Sequence, residues 1–260
     1  MDNFFIARDF DWEIRRSSHV DRVLNLFTRR IGFNTDTAGF IDGLIHRLTG
    51  LRLSPTRSGI STNVEQRINM YHLVSQVIAY GIEGDLVEVG CNEGQSSVLI
   101  SKVIKSFNSG KRLHVYDSFE GLPAARSEDG NAYKKGDLAT SQDVLIANFV
   151  THRLELPTIH KGWFEDTLPH GLPDSICFAH LDGDLYRSIL VSLEHVYPRL
   201  SEGAVCLIDD YCDPAVNPDG WNYLPGVKKA CDEFMADKPE AICNLYCGSF
   251  THAFFRKSLT

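Results

Sequence analysis

The 260-residue chain has the composition of a folded globular protein, with 43% hydrophobic, 23% charged and 10% aromatic residues. Its formal net charge of −8 is a poor match for nucleic acid or an anionic membrane, so neither is expected as a partner. The charge is uneven, because residues 1–60 carry a net +2 and residues 61–260 carry a net −10. The excess carboxylates therefore lie in residues 61–260.

The beginning of the chain alternates apolar and charged residues, and no apolar stretch approaches the roughly 18 residues of a transmembrane helix. The seven cysteines are odd in number, and Cys177 and Cys206 lie in apolar runs where a reduced thiol behaves as a small hydrophobe. We therefore expect a cytoplasmic protein with reduced thiols.

Residues 1–60 are predicted to be mostly helical, because apolar residues recur at three-and-four spacing over 20–31 and 40–48. A linker rich in Ser, Thr, Pro and Gly follows at 53–63, and then a third helix. The apolar face of this third helix contains Ile68, Tyr71, Val74 and Ile78. We interpret 1–62 as a helical cap, lid or dimerisation segment and 63–260 as the main domain, in a protein expected to form a homo-oligomer such as a dimer.

From Gly84 onward, short apolar strands alternate with helical periods, which predicts an α/β fold with a parallel sheet covered on both faces. Strands are predicted at 85–89, 113–116, 156–160, 176–181 and 204–208, and helices at 95–107, 142–149, 188–200 and 227–235. Two closing strands, 241–247 and 251–255, are too close for a helical crossover and are predicted to form an antiparallel hairpin.

The first strand of this domain leads into the glycine-containing turn 90–94 (GCNEG), where a backbone can approach a ligand closely. Asp117 ends the next strand, 23 residues after Gly94, near the spacing of about 20 at which an acid bonds ribose hydroxyls. An incidental turn acid is the alternative. The carboxylates of Glu88 and Glu93 would repel a pyrophosphate, but they suit the cationic methionine of S-adenosylmethionine better than NAD.

Carboxylates also follow the strands at 176–181 and 204–208, as Asp182, Asp184, Asp209 and Asp210. If these strands are neighbours, several like charges converge at one edge of the sheet, which is unfavourable unless a cation intervenes. A hard divalent ion with oxygen ligands, Mg²⁺ first, resolves this arrangement. Solvated loop acids are the alternative interpretation.

Several motifs together resemble the macrocin O-methyltransferase (TylF-type) family of S-adenosylmethionine- and metal-dependent sugar O-methyltransferases, over roughly residues 81–255. The motifs are GDLVEVG (84–90), YDSFEGLP (116–123), GWFEDTLP (162–169), LDGDLYRS (181–188), IDDY (208–211) and PGVKKACDEF (225–234). The resemblance implies a Rossmann-like class I methyltransferase domain. Its expected features are a seven-stranded, mostly parallel sheet with an antiparallel C-terminal hairpin strand, preceded by N-terminal helices.

The resemblance also implies roles for individual residues. The cofactor-binding set is Glu88, Gly90, Gly94, Asp117, Ser118, Gly162, Trp163 and Asp182. Within it, Glu88 and Gly90 line the methionine end, Asp117 and Ser118 bind the ribose, and Gly162 and Trp163 frame the adenine. Core packing is the alternative for Trp163. The implied metal ligands are Asp182, Asp209 and Asp210, and the implied general base is Asp184.

His180 lies two residues before Asp182, on the same side of its strand, and is a second candidate for a catalytic or assisting base. A hydrogen-bonded structural histidine is the interpretation that we favour for it, because buried polar side chains are normally satisfied without catalysing anything.

The predicted function is Mg²⁺-dependent transfer of a methyl group from S-adenosylmethionine to a hydroxyl of a sugar or a glycosylated small molecule. The alternatives are a phenol or catechol acceptor between the aromatic residues Trp163, Trp221 and Tyr223, a non-catalytic S-adenosylmethionine-binding protein, or an NAD-dependent oxidoreductase. The turn GCNEG departs from the bulkier, basic turn of antibiotic-pathway members. The polar segment 124–141 is predicted to be a lid over the site.

Overall fold

The computed structural model describes residues 62–218, 220–248 and 250–259. The helices predicted within residues 1–60 lie outside the described residues. The described part begins with the third predicted helix, α1 (Val64–Ala79). Of its predicted apolar face, Tyr71 and Val74 are buried, whereas Ile68 and Ile78 are half-buried.

Seven strands form one sheet in the order β3-β2-β1-β4-β5-β7-β6. The strands are β1 (Asp85–Val89), β2 (Leu113–Asp117), β3 (Thr158–Lys161), β4 (Ile176–Leu181), β5 (Leu200–Asp209), β6 (Cys243–Leu245) and β7 (His252–Arg256). The first five pair in parallel, and β7 pairs antiparallel with both β5 and β6. The predicted mostly parallel sheet with an antiparallel C-terminal hairpin strand is thus confirmed.

Helices connect the parallel strands. They are α2 (Gln95–Ser106), α3 (Gln142–Thr151), α4 (Phe164–Gly171), α5 (Tyr186–Val196) and α6 (Pro225–Met235), with a short 3₁₀ turn at Tyr197–Arg199. The helix α4 was not predicted, because it is short and contains Pro169, a residue that usually ends a helix. Among the described residues, no helix is long and apolar enough to cross a bilayer.

The centre of the sheet is buried on both faces. All six residues of β4 are buried, and β5 is buried from Ala204 to Asp209. Near-continuous apolar runs of this kind are typical of parallel strands covered by helices on both sides. His180 and Asp209 are the polar exceptions within these two runs, so their buried side chains need partners.

Because β1 to β5 are parallel, the loops that follow them meet at one edge of the sheet, called here the carboxyl edge. Backbone hydrogen bonds tie neighbouring strand ends together at this edge. They run from Gly162 N to Asp117 O (2.9 Å), from Gly90 N to Tyr116 O (2.9 Å) and from Asp182 N to Val89 O (2.8 Å). The residues that follow β3, β2, β1 and β4 therefore form one continuous row.

Candidate functional site

The turn after β1 depends on a glycine at position 90. Gly90 has a φ of 92°, and a Cβ atom there would lie 1.8 Å from the carbonyl oxygen of Asp182. No other residue fits without moving the end of β1 away from β4. Gly94, with a φ of 82°, is the N-cap of α2. The turn thus brings backbone atoms, free of a side chain, to the middle of the carboxyl edge.

Asp117 lies at the end of β2, beside this turn. Its Oδ2 accepts a hydrogen bond from Asn92 N (2.8 Å), and its Oδ1 accepts one from Phe119 N (2.7 Å). Burial raises the pKa of Asp117, and these backbone donors oppose the rise. Each carboxylate oxygen has a further lone pair, so the geometry permits additional bonds to hydroxyls. The Ser118 hydroxyl takes part in a local turn, where it accepts a hydrogen bond from Glu120 N (3.0 Å).

The pair Gly162-Trp163 follows β3, one strand further out. Gly162 has a φ of 147°, and Trp163 is the half-buried N-cap residue of α4. The Thr167 hydroxyl donates to the carbonyl of Trp163 at 3.0 Å, which fixes the backbone there. The indole is thus carried on a defined turn at the outer end of the row.

Three carboxyl groups converge beyond β4 and β5. One oxygen from each of Asp182, Asp184 and Asp210 lies within 4.8 Å of the other two, and we call this set the acidic cluster. Asp184 and Asp210 have positive φ values of 58° and 57°. Aspartate tolerates this left-handed region better than most residues, and such conformations concentrate at functional sites.

The electrostatics of the acidic cluster favour a cation. Burial, followed by the charges of neighbouring aspartates, raises the pKa of Asp182 and Asp210 well above the usual range. The same causes raise the pKa of Asp184 to about 7. A divalent ion with oxygen ligands would stabilise the ionised forms of these carboxyls, so the residues present fit Mg²⁺.

Tyr133 is a residue of this region that the sequence analysis missed. Burial raises its pKa to about 12, and the charge of Asp184 adds most among the neighbouring carboxyls. Tyr133 belongs to the predicted lid segment 124–141, in which buried Asp129 accepts hydrogen bonds from Tyr186 N (2.5 Å) and Arg126 N (2.7 Å). This segment is therefore attached to the first turn of α5, close to the acidic cluster. An aromatic residue within a polar segment was the available signal.

A second set of polar side chains lies buried in the sheet next to the acidic cluster. We call it the buried acid–histidine network; it consists of Gln66, Glu88, His180, Asp209 and His252. Strand register places Glu88 opposite His180 and Asp209 opposite His252. His180 Nδ1 lies 2.9 Å from Glu88 Oε1, and the Ser97 hydroxyl donates to Glu88 Oε2. Both oxygens of Glu88 thus have protein partners, and its side chain is wholly buried.

Asp209 is held in this network mainly through one oxygen. Its Oδ1 accepts hydrogen bonds from Gln66 Nε2 (2.8 Å) and Asp210 N (3.0 Å), and it lies 3.1 Å from His252 Nε2. His180 Nε2 lies 4.0 Å from Asp209 Oδ2. Burial alone would raise the pKa of Asp209, but attraction to His252 and His180 and these hydrogen bonds hold it below the usual value.

The structure therefore groups the predicted site residues differently from the sequence analysis. Asp182 and Asp210 lie together as expected, but Asp184 joins them, whereas Asp209 contacts the histidines. His180 is fully buried and paired with Glu88, which favours its hydrogen-bonded role over that of a base. The roles of these residues in binding and catalysis stay predictions.

Residues 53–236 match the model of the macrocin-O-methyltransferase (TylF) family. The chain belongs to this family. The match confirms the family that the motifs indicated, and with it the methyltransferase class of enzyme.

Two relatives are O-methyltransferases by name, and the name of the first includes a rhamnosyl group. The chain is 36% identical over 153 residues to the 8-demethyl-8-(2,3-dimethoxy-alpha-L-rhamnosyl)-tetracenomycin-C 4'-O-methyltransferase of Streptomyces olivaceus, a match that covers 55% of this chain and 59% of that enzyme. It is 31% identical over 219 residues to the mycinamicin III 3''-O-methyltransferase of Micromonospora griseorubida, covering 76% of this chain and 86% of the relative.

A solved structure agrees with the fold. The O-methyltransferase NovP aligns with a TM-score of 0.64 and 27% sequence identity, covering 76% of this chain and 81% of NovP. The Rossmann-like arrangement of S-adenosylmethionine-dependent methyltransferases is thus shared by this chain.

Proposed function

We propose that this protein transfers a methyl group from S-adenosylmethionine to a hydroxyl of a sugar on a small glycosylated molecule, in a reaction that requires a divalent cation such as Mg²⁺. One observation carries this proposal. The residues predicted to bind adenine, ribose and methionine lie at the ends of β3, β2 and β1, in a row that continues to the acidic residues at the ends of β4 and β5.

The order of the row has a chemical consequence for the donor. Trp163, Asp117 and Gly90 would hold the adenine, ribose and methionine portions of S-adenosylmethionine in that order, and Gly90 is the one of the three next to Asp182 of the acidic cluster. When bound, S-adenosylmethionine supplies a methyl group on a cationic sulfonium, and nearby carboxylates stabilise such a cation. Gly90 keeps this position free of side-chain atoms, and Asp117 has acceptor capacity for ribose hydroxyls.

The proposed cation ligands are Asp182, Asp209 and Asp210. Bound Mg²⁺ supplies a Lewis acid that lowers the pKa of an acceptor hydroxyl. Asp182 and Asp210 belong to the acidic cluster, and Asp182 and Asp209 each come directly after the last paired residues of β4 and β5, Leu181 and Ile208.

Asp184 is the proposed general base. It lies within the acidic cluster, next to the proposed cation ligands, which is the position a base needs in order to take the proton of a hydroxyl held there. Asp184 has a left-handed backbone, with a φ of 58°, two residues after Asp182. The proposed base and the proposed ligand Asp182 thus belong to the same loop after β4.

The acceptor class rests on the relatives. The names of two of them specify methylation of a rhamnosyl-bearing tetracenomycin and of mycinamicin III. We extend the class, not the individual acceptors, to this chain. We include Tyr133 among the residues that would contact the sugar, because the charges of Asp184, Asp210 and Asp182 act on its hydroxyl and its segment is tied to α5 by Asp129.

The proposal is tested by methyl transfer from labelled S-adenosylmethionine to a panel of deoxysugar glycosides, catechols and simple phenols. We expect labelled glycosides, loss of labelling with excess chelator, and recovery with Mg²⁺. Calorimetry should show binding of S-adenosylhomocysteine and no binding of NAD. Turnover that is restricted to catechols, or that is unaffected by chelator, would contradict the proposal.

A single variant separates the cation from the donor. Asp209→Asn removes a proposed ligand, and we expect it to abolish cation-dependent methyl transfer while affinity for S-adenosylhomocysteine persists. Full turnover by this variant would exclude Asp209 as a ligand.

A further inference from the structure

The buried acid–histidine network holds Asp209 asymmetrically. Gln66 Nε2 (2.8 Å) and Asp210 N (3.0 Å) donate hydrogen bonds to Oδ1, and His252 Nε2 lies 3.1 Å from the same oxygen. His180 Nε2 is 4.0 Å from Oδ2, which is beyond hydrogen-bond distance. The two oxygens of one carboxylate therefore have different surroundings, with Oδ1 committed to the protein.

We propose that Gln66 and His252 are positioning residues, which hold Asp209 by Oδ1 so that Oδ2 is the oxygen presented to the cation. This inference rests on the cation requirement of the proposed function. It assigns roles to residues from α1 and β7, two elements that carry no residue of the predicted site.

The placement of these donors supports the proposal. His252 lies directly opposite Asp209 in the antiparallel pair of β5 and β7, so the two side chains share a face of the sheet. Gln66 reaches the same oxygen from α1, across 143 residues of sequence. Both donors are almost completely buried, with exposures of 1% each, so water does not readily replace them.

The same oxygen also bonds the backbone of the next residue. Because Oδ1 accepts a hydrogen bond from Asp210 N, it supports the left-handed conformation of Asp210, whose φ is 57°. Loss of Gln66 or His252 would thus loosen two proposed ligands at once. Partners that orient ligating groups typically contribute about 10- to 100-fold to metal affinity.

The experiment measures Mn²⁺ binding by electron paramagnetic resonance, with Mn²⁺ as the spectroscopic substitute for Mg²⁺. The test variants are Gln66→Met and His252→Leu, which remove the donors with little change in volume. His252→Gln restores an amide donor. The matched controls are Gln76→Met, whose amide oxygen on the same helix accepts a bond from Arg256, and His114→Leu, a buried histidine of β2.

We expect Gln66→Met and His252→Leu to weaken Mn²⁺ binding about 10- to 100-fold. The manganese spectrum should broaden, His252→Gln should recover most of the affinity, and both controls should bind as the wild type does. Binding of S-adenosylhomocysteine, measured by calorimetry, should be unchanged in all variants. If His252→Leu fails to fold, Gln66→Met alone carries the test.

Three outcomes are distinguishable. Wild-type Mn²⁺ affinity in folded Gln66→Met and His252→Leu would overturn the positioning role. A second Mn²⁺ per chain that disappears in His252→Leu would also overturn it, because the histidine would then be a direct ligand. Absence of Mn²⁺ binding in the wild type would instead refute the cation requirement of the proposed function.

Discussion

The acidic cluster and the buried acid–histidine network lie side by side at the ends of β4 and β5, yet their carboxylates have opposite electrostatic surroundings. In the network, the carboxylates of Glu88 and Asp209 contact histidines and neutral donors. In the acidic cluster, burial and then the charges of neighbouring aspartates, with Asp209 first, raise the pKa of Asp182 and Asp210. The network carboxylates are therefore held by protein partners, whereas the cluster is arranged for a positively charged ligand.

The largest effect should come from the base in the acidic cluster. Asp184→Asn should lower kcat about 10²- to 10⁴-fold, the usual contribution of a general base, while Mn²⁺ binding persists. Turnover kinetics and metal titration check the two parts. Asp174→Asn, an exposed aspartate before β4, is the control and should behave as the wild type. A mutant that loses Mn²⁺ binding together with turnover would make Asp184 a ligand instead.

In the network, removal of one partner should destabilise the fold. Glu88→Leu leaves His180 Nδ1 and the Ser97 hydroxyl without their acceptor in a wholly buried place. We expect a loss of about 3 kcal/mol in the free energy of unfolding, measured by denaturant titration. A stability equal to that of the wild type would show that the pair adds nothing to folding.

The turn at Gly90 should tolerate no side chain. Gly90→Ala places a methyl group against the carbonyl of Asp182 in a backbone conformation that alanine disfavours. We expect a loss of about 2 kcal/mol or more in unfolding free energy, with weaker binding of S-adenosylhomocysteine. Gly110→Ala is the control, because a Cβ there meets no atom within 4 Å and should leave both measurements unchanged.

Removal of a carboxylate should change the free energy of unfolding in opposite directions in the acidic cluster and in the network. Asp182→Asn removes one of the crowded charges of the acidic cluster, so the metal-free protein should become more stable by about 1 kcal/mol. Denaturant titration in the presence of chelator measures this. Destabilisation by Asp182→Asn, as expected for Glu88→Leu, would contradict the view that the charges are unfavourably crowded in the cluster and paired in the network.

The smallest effect concerns a carboxylate away from both sets. Glu240 accepts hydrogen bonds from the Tyr197 hydroxyl (2.7 Å) and Ser258 N (3.0 Å), and such bonds hold its pKa at about 2 despite the opposing effect of burial. A lowered folded-state pKa contributes stability above the unfolded value of about 4.5, which is lost as pH falls toward 2. Glu240→Gln should cost about 1 kcal/mol at pH 7 and flatten this acid dependence. An unchanged slope between pH 5 and pH 2 would contradict the assignment.

Much of the fold was predictable because the strands are distinctive in sequence. The runs 85–89 and 176–181 were predicted with their observed bounds, since buried parallel strands are continuous apolar segments. The predicted strand 156–160 lies at Thr158–Lys161 in the structure, because this edge strand is only partly buried and its apolar pattern is weak. The helix α4 was missed, because its tertiary packing through buried Leu168 overrides an internal proline.

The edge of the sheet where the candidate site lies could be predicted from the sequence, but the contacts between its side chains could not. The rule that ligands bind at the carboxyl ends of parallel strands identified Asp117, Asp182 and Asp210. Sequence cannot show that Asp209 lies opposite His252, because that pairing depends on the insertion of β7 between β5 and β6. The contact of Gln66 with Asp209 could not be predicted either, since this hydrogen bond joins α1 to a strand 143 residues later in the chain.

The position of β7 has a consequence for folding of the chain during its synthesis. It is the last strand of the sheet in chain order, yet it sits between β5 and β6 and supplies His252. During synthesis, β1 to β5 leave the ribosome before β7 has been made. Until then, Asp209 lacks its contact with His252, and the edge of β5 that later pairs with β7 is exposed. Competence for cation binding should therefore appear late and abruptly as the nascent chain lengthens, rather than growing with the sheet.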